Sequence, residues 1–177
     1  MRRWAGMAVI VITVGWSAAV AATVQDLVRL RQSDMKEIAT STKVLAEMFK
    51  NPETYASSTF EKAAEVVVAR SGRHLVANFS DLAAAPGSKA TDAIRDDRSR
   101  FAELAENLKT YASALAAAAR EHPEAMTEDM RMKAAEPTEG GLLGITPRQS
   151  QKMSAEHAFH LMLQTCASCH ARFRQRD

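Results

Sequence analysis

Only two cysteines occur in the chain, and they form a single C-x-x-C pair. A structural zinc site drawing four ligands from two such pairs is therefore out of reach. Aromatic residues make up only 6% of a chain that is 46% hydrophobic, much of it alanine, a balance that favours helices over sheets. No cluster of lysine and arginine offers an electrostatic footprint for nucleic acid or anionic lipid. The apolar stretch from Met7 to Trp16 is also too short for the ~20 residues of a membrane span.

That short stretch has a different meaning at the N-terminus. Arg2 and Arg3 precede it, and Ser17-Ala18-Ala19-Val20-Ala21-Ala22 follows with the small residues that signal peptidase accepts after Ala21 or Ala22. The arginine pair lacks the longer twin-arginine context, so the general export route is expected. Residues 1–22 read as a signal peptide and 23–177 as one domain, long enough for a real core. Cleavage removes Arg2 and Arg3 from a total of 23 Lys+Arg and none of the 21 Asp+Glu, which leaves the mature chain formally neutral. It is expected in the periplasm, outside the reducing cytosol and with no stable membrane insertion.

Helical periodicity runs through the rest. Val28, Arg31, Met35, Ile38, Thr42, Leu45 and Phe49 are spaced alternately by three and four, one face of a helix from about Val24 to Lys50 that ends at Asn51-Pro52. Ser58-Thr59-Phe60-Glu61 has the form of a capping box ahead of a second helix, from Thr59 to about Phe79. Phe60, Ala64, Val67, Ser71 and Leu75 point inward there, and Gly72 is its weak point. A third helix is expected from about Thr91 to Arg120, with Phe101, Leu104, Leu108, Tyr111 and Leu115 on its apolar face. After His122-Pro123 comes a connector of about 30 residues, longer than compact domains usually use. Ser154-Ala155-Glu156 opens the last helix, to about Arg174, with Ala155, Phe159, Met162, Cys166, Cys169 or His170, and Phe173 inward. With four helices and no strand pattern, the fold class is all-α, a helical bundle.

Cys166-Ala167-Ser168-Cys169-His170 reads C-x-x-C-H, the pattern for covalent haem attachment. On a helix the two thiols lie one turn apart on one face, and so do Cys166 and His170. Two thiols can then hold the haem vinyl groups while the adjacent imidazole reaches the iron from the same side. A thioredoxin-like redox pair would need its C-x-x-C at a helix start beside a sheet, and no βαβ pattern is present. Chance occurrence in an exported helical or thiol-redox protein is the remaining alternative. Only seven residues follow His170. None is placed to fold back over the opposite haem face, so any sixth ligand must come from upstream.

With these pieces in place, the chain resembles the class II cytochromes c, the cytochrome c′ and cytochrome c-556 family. The likeness rests on Arg31-Gln32-Ser33-Asp34-Met35-Lys36 in the first helix and on Cys166 to Arg174 at the end. It implies an antiparallel four-helix bundle with one covalently attached haem c near the C-terminus. It also implies that Arg31 and Gln32 lie near a haem propionate, Arg174 beside the proximal face and Met35 over the distal face. The residues agree in part: Arg31 and Met35 share the inward stripe one turn apart, and a buried arginine calls for a negative partner.

Met35 divides the functional readings. As an axial ligand with His170 it makes a low-spin electron carrier that needs no catalytic acid or base. As a core filler only, it leaves a high-spin cytochrome c′-like protein that binds nitric oxide or carbon monoxide at five-coordinate iron. The partners expected are redox proteins, and the resemblance implies homodimers through the first helices as a common state. Met126, Met130, Met132 and Met153 in the connector take no ligand role. His157 and His160 read as packed or exposed side chains, and His74 and His122 as histidines without a constellation.

Overall fold

A computed structural model describes residues 16–79, 85–133 and 153–176, with side chains from residue 24 onward. Most of the expected signal segment and residues 134–152 of the connector lie outside the described residues. Helix α1 (Trp16–Lys50) begins earlier than the apolar stripe required, continuing through the alanine-rich 16–23 stretch. Its stripe is inward as expected: Val28, Arg31, Ile38, Leu45 and Phe49 are buried and Met35 and Thr42 half-buried. A 3₁₀ turn at Pro52–Thr54 follows the break at Asn51.

The second expected helix is two. Helix α2 (Ser57–Arg70) starts ahead of the anticipated capping box, with Ala56 at the N-cap and no side-chain cap. The Ala56 carbonyl accepts the Thr59 and Phe60 amides, so the serine and glutamate are not used as caps. At Ser71 the backbone turns extended, and Gly72, at φ +59°, opens the short helix α3 (Gly72–Ala77). Ser71 and Leu75 are nevertheless buried as the stripe required. A side chain at Gly72 would meet the left-handed penalty, while its Cβ would press on the movable Lys109 Cδ at 2.8 Å. Gly72→Ala is therefore expected to cost about 1–2 kcal/mol, nearly all of it backbone. Urea unfolding checks this; an unchanged midpoint would contradict it.

The third expected helix also divides. Helix α4 (Ala93–Asp96) is a single turn, and α5 (Arg98–Glu121) starts anew after Asp97. The Asp97 carboxylate accepts the Arg100 amide at 3.3 Å and pairs with Arg172 at 2.6 Å, so a capping residue wins over helix continuity. Helix α6 (Ala155–Phe173) matches expectation, capped by the Ser154 hydroxyl accepting from the His157 amide.

α1, α2 with α3, α4 with α5, and α6 thus make four antiparallel rods, and no strand occurs among the described residues. Arg70 at the end of α2 reaches Glu37 on α1, and Arg120 at the end of α5 reaches Glu61 near the start of α2. A larger core fills the end where α1 finishes and α6 starts, with Phe49 against Phe60 and Phe159. The first part of the connector seals that end. Met130 is buried, Arg131 donates to the Phe49 carbonyl, and the Met132 amide donates to Glu156. A smaller core of Leu75, Phe79, Ile94, Phe101 and Phe173 fills the other end. Between it and α1 the bundle stays open.

Candidate functional site

The opening is a cavity of about 390 Å³, within the range that cofactor sites occupy. Its α1 wall is Val28, Arg31, Gln32 and Met35; its α6 wall is Cys169, His170, Phe173 and Arg174. A ladder of rings forms the back. Phe79 meets Phe101 edge-on at 5.3 Å, and Phe101 meets Phe173 at 5.4 Å. These contacts join the residue after the α3 C-cap, the first turn of α5 and the last turn of α6. The loop over 85–91 closes one side because both flanking helices hold it. Gln32 donates to the Gly87 carbonyl, the Thr91 amide to the Phe173 carbonyl, and the Gln175 amide to the Lys89 carbonyl.

Six of the seven residues singled out in the sequence therefore line one cavity. Cys166 is the seventh. It lies one turn before Cys169, half-buried against the larger core, while Cys169 packs against the smaller one. Met35 touches both clusters and so sits at the boundary between the two thiols' levels. An unbranched thioether can repack at such a boundary with little strain.

The electrostatics suit a ligand rather than a redox thiol pair. Burial, then the neighbouring Cys166, pushes the Cys169 thiol up to about 11, and burial also raises Cys166. Reactive C-x-x-C pairs are the reverse, with a depressed thiol pKa. For His170, desolvation and then the Arg174 cation lower the imidazole pKa, which keeps the ring neutral with a lone pair available for a metal. The charged groups on the lining are Arg31, Lys36, Lys89 and Arg174, all cationic, around apolar walls. A flat apolar macrocycle carrying carboxylates fits that pattern, with its thioether partners and an imidazole supplied by α6. No group of three or more His, Cys, Asp or Glu able to hold a bare metal ion occurs among the described residues.

Several wall residues went unnoticed in the sequence. Phe101 and Phe173 were expected only as inward packing, and Phe79, Ile94, Lys36 and Lys89 had no individual site role. The larger omission is around His74. Its Nε2 lies 2.9 Å from the carboxylate of Asp34, which is 1% exposed and also takes Asn78 Nδ2 at 2.9 Å and Arg70 Nε at 3.4 Å. His122 also has partners, Thr127 at 3.1 Å and Asp129 at 3.1 Å, at the end away from the cavity. His157 is packed in the interior and His160 is exposed.

A helical bundle whose last helix presents C-x-x-C-H beside an apolar, cation-rimmed cavity belongs to the bundle-type c-type cytochromes. A family model described as Cytochrome C′ matches residues 26–140, and the chain belongs to the cytochrome c′ family. Its members carry covalently attached haem c, so this is a monohaem c-type cytochrome. The matched stretch stops ahead of α6, which makes the attachment motif an independent observation. Among solved structures, the chain is similar to cytochrome c prime from Shewanella frigidimarina at 18% identity and a TM-score of 0.62, covering 86% of this chain and 97% of that one. This likeness shows the fold, an antiparallel four-helix bundle. No curated protein sequence matches significantly.

Proposed function

We propose that the chain is an exported periplasmic electron carrier, with haem c linked through Cys166 and Cys169 and ligated by His170 from α6 and Met35 from α1. What carries the reading is that Met35 and His170 line the same cavity from two different helices. Bound there, the haem supplies a one-electron ferric/ferrous couple. The chain's own residues supply the rest. His170 offers a neutral nitrogen, the ring ladder keeps water from the apolar face, and Arg31, Gln32 and Arg174 surround the carboxylate edge. Exclusion of water and nearby cations both disfavour the more highly charged ferric state, so they raise the reduction potential. Its partners are redox proteins that reach the cavity mouth. No helix among the described residues is long and apolar enough to cross a membrane.

A second reading is favoured by the family and by the solved structure it resembles: five-coordinate iron that binds nitric oxide or carbon monoxide, with Met35 as wall only. Optical spectra of the purified holoprotein separate them. The electron carrier is expected to be low-spin in both oxidation states and to take up carbon monoxide slowly. A high-spin ferrous spectrum that converts at once under carbon monoxide would reject it in favour of the gas-binding reading.

A further inference from the structure

The buried carboxylate of Asp34 stands just outside the cavity, and nothing in the haem reading uses it. It holds two elements to α1 at once. Arg70 belongs to the end of α2, and His74 and Asn78 belong to α3 and its C-cap. These elements flank the Ser71–Gly72 break, where a positive φ sets the direction in which α3 leaves α2. Asn78 works in both directions. Its side-chain amide donates to Asp34, and its backbone carbonyl accepts Arg31 Nε at 2.5 Å. The next residue, Phe79, places its ring 4.4 Å from the Arg31 guanidinium carbon. Arg31 is therefore held on one side by a carbonyl and on one face by a ring, and the segment bearing both is anchored by Asp34. Apolar packing would hold α3 to α1 equally well but would not orient a guanidinium. A polar network centred on a buried, multiply bonded carboxylate does that.

We propose that Asp34, through Asn78, is the positioning residue that fixes Arg31 at the cavity wall and so sets the reduction potential of the haem. This rests on the reading that Arg31 lies beside the haem. A cation there favours the ferrous state, so any loss of its placement shifts the couple toward ferric. Removing the Asp34 anion by itself has the opposite sign, because an anion favours ferric iron. The direction of the shift thus tells positioning from plain charge.

The test compares the oxidised-to-reduced ratio at one fixed solution potential for the wild-type, Asn78→Ala, Arg31→Gln, the double variant and Asp34→Ala holoproteins. Asn78→Ala changes no charge and keeps the carbonyl, and a cooperative melt establishes that it is folded. It is expected to raise the ratio at least threefold, Arg31→Gln to raise it further, and the double variant to go no further than Arg31→Gln alone. Asp34→Ala, where it folds, is expected to move the same way. An unchanged ratio in Asn78→Ala beside a shifted Arg31→Gln overturns the positioning role, and so does additivity in the double variant. An unchanged ratio in Arg31→Gln removes the underlying placement of Arg31, a distinct result.

Discussion

Expressed in cells with intact haem-maturation machinery, Cys166→Ser with Cys169→Ser is expected to yield protein without covalent haem that melts about 10–20 °C below the wild-type holoprotein. The size follows from the cavity. Its walls bring together Val28, Phe79, Ile94, Phe101 and Phe173, four of them from the smaller core, around a space of about 390 Å³. An empty apolar cavity costs about 24 cal/mol per Å³, which for this volume gives a ceiling on the order of 9 kcal/mol. This cavity is open at its mouth, so water and partial collapse relieve part of that. A loss of about 5 kcal/mol remains, and at roughly 2–4 °C per kcal/mol for a chain of this size it gives the stated shift. It is also a large share of the 5–15 kcal/mol that holds a typical domain together, so the transition should broaden.

The serines themselves contribute little, since a helical hydroxyl at half-buried positions can bond the carbonyl four residues back. The control is wild-type chain made without the maturation machinery, which should melt like the variant. Calorimetry checks both. A double variant that melts like the holoprotein would mean that the haem is not part of the core.

The fold was legible because burial here follows one rule for most of its length. Most of the alternating three-and-four stripe from Val28 to Phe49 and of the inward sets on the other helices is buried. The exceptions, half-buried Met35, Thr42, Cys166 and Cys169 and exposed His170, lie mostly at or beside the cavity. The two helix breaks were less legible. Gly72 was visible as a weak point, but a glycine inside a helical pattern can be tolerated or can turn left-handed, and the choice depends on what α3 packs against. Asp97 carries a local capping signal, its carboxylate accepting the Arg100 amide, but a polar residue within a helical pattern need not break it. Its pairing with Arg172, 75 residues along the chain, has no local signal.

In the site, the motif on α6 and the Arg31–Met35 pair on α1 were readable because they lie on single helices. The Asp34 network was not, because its partners His74 and Asn78 are 40 and 44 residues away. A signal was present even so. Arg31, Asp34, Met35 and Ile38 follow the i, i+3, i+4, i+7 pattern, so the stripe that buries the arginine buries the aspartate as well. An inward acid beside an inward base predicts a buried polar network before any partner is known.

Met35→Leu carries the second large effect, because it keeps most of the side chain's volume and removes only the sulfur. Leucine for methionine at a packed site usually costs less than 1.5 kcal/mol, and Met35 is only half-buried, so the fold should remain. If the sulfur is on the iron, the ferrous spectrum is expected to change from low-spin to high-spin. Carbon monoxide binding should also quicken at least tenfold, since no ligand has to leave first. Met35→Ala should show the same spectrum with a greater loss of stability, because it also removes contacts with both core clusters. The pair separates ligation from packing. A spectral change shared by both variants reports the sulfur, whereas a loss of stability in alanine alone, with both spectra unchanged, reports a wall residue. That second outcome would leave His170 as the protein's one axial ligand and make gas binding the function that the cavity serves.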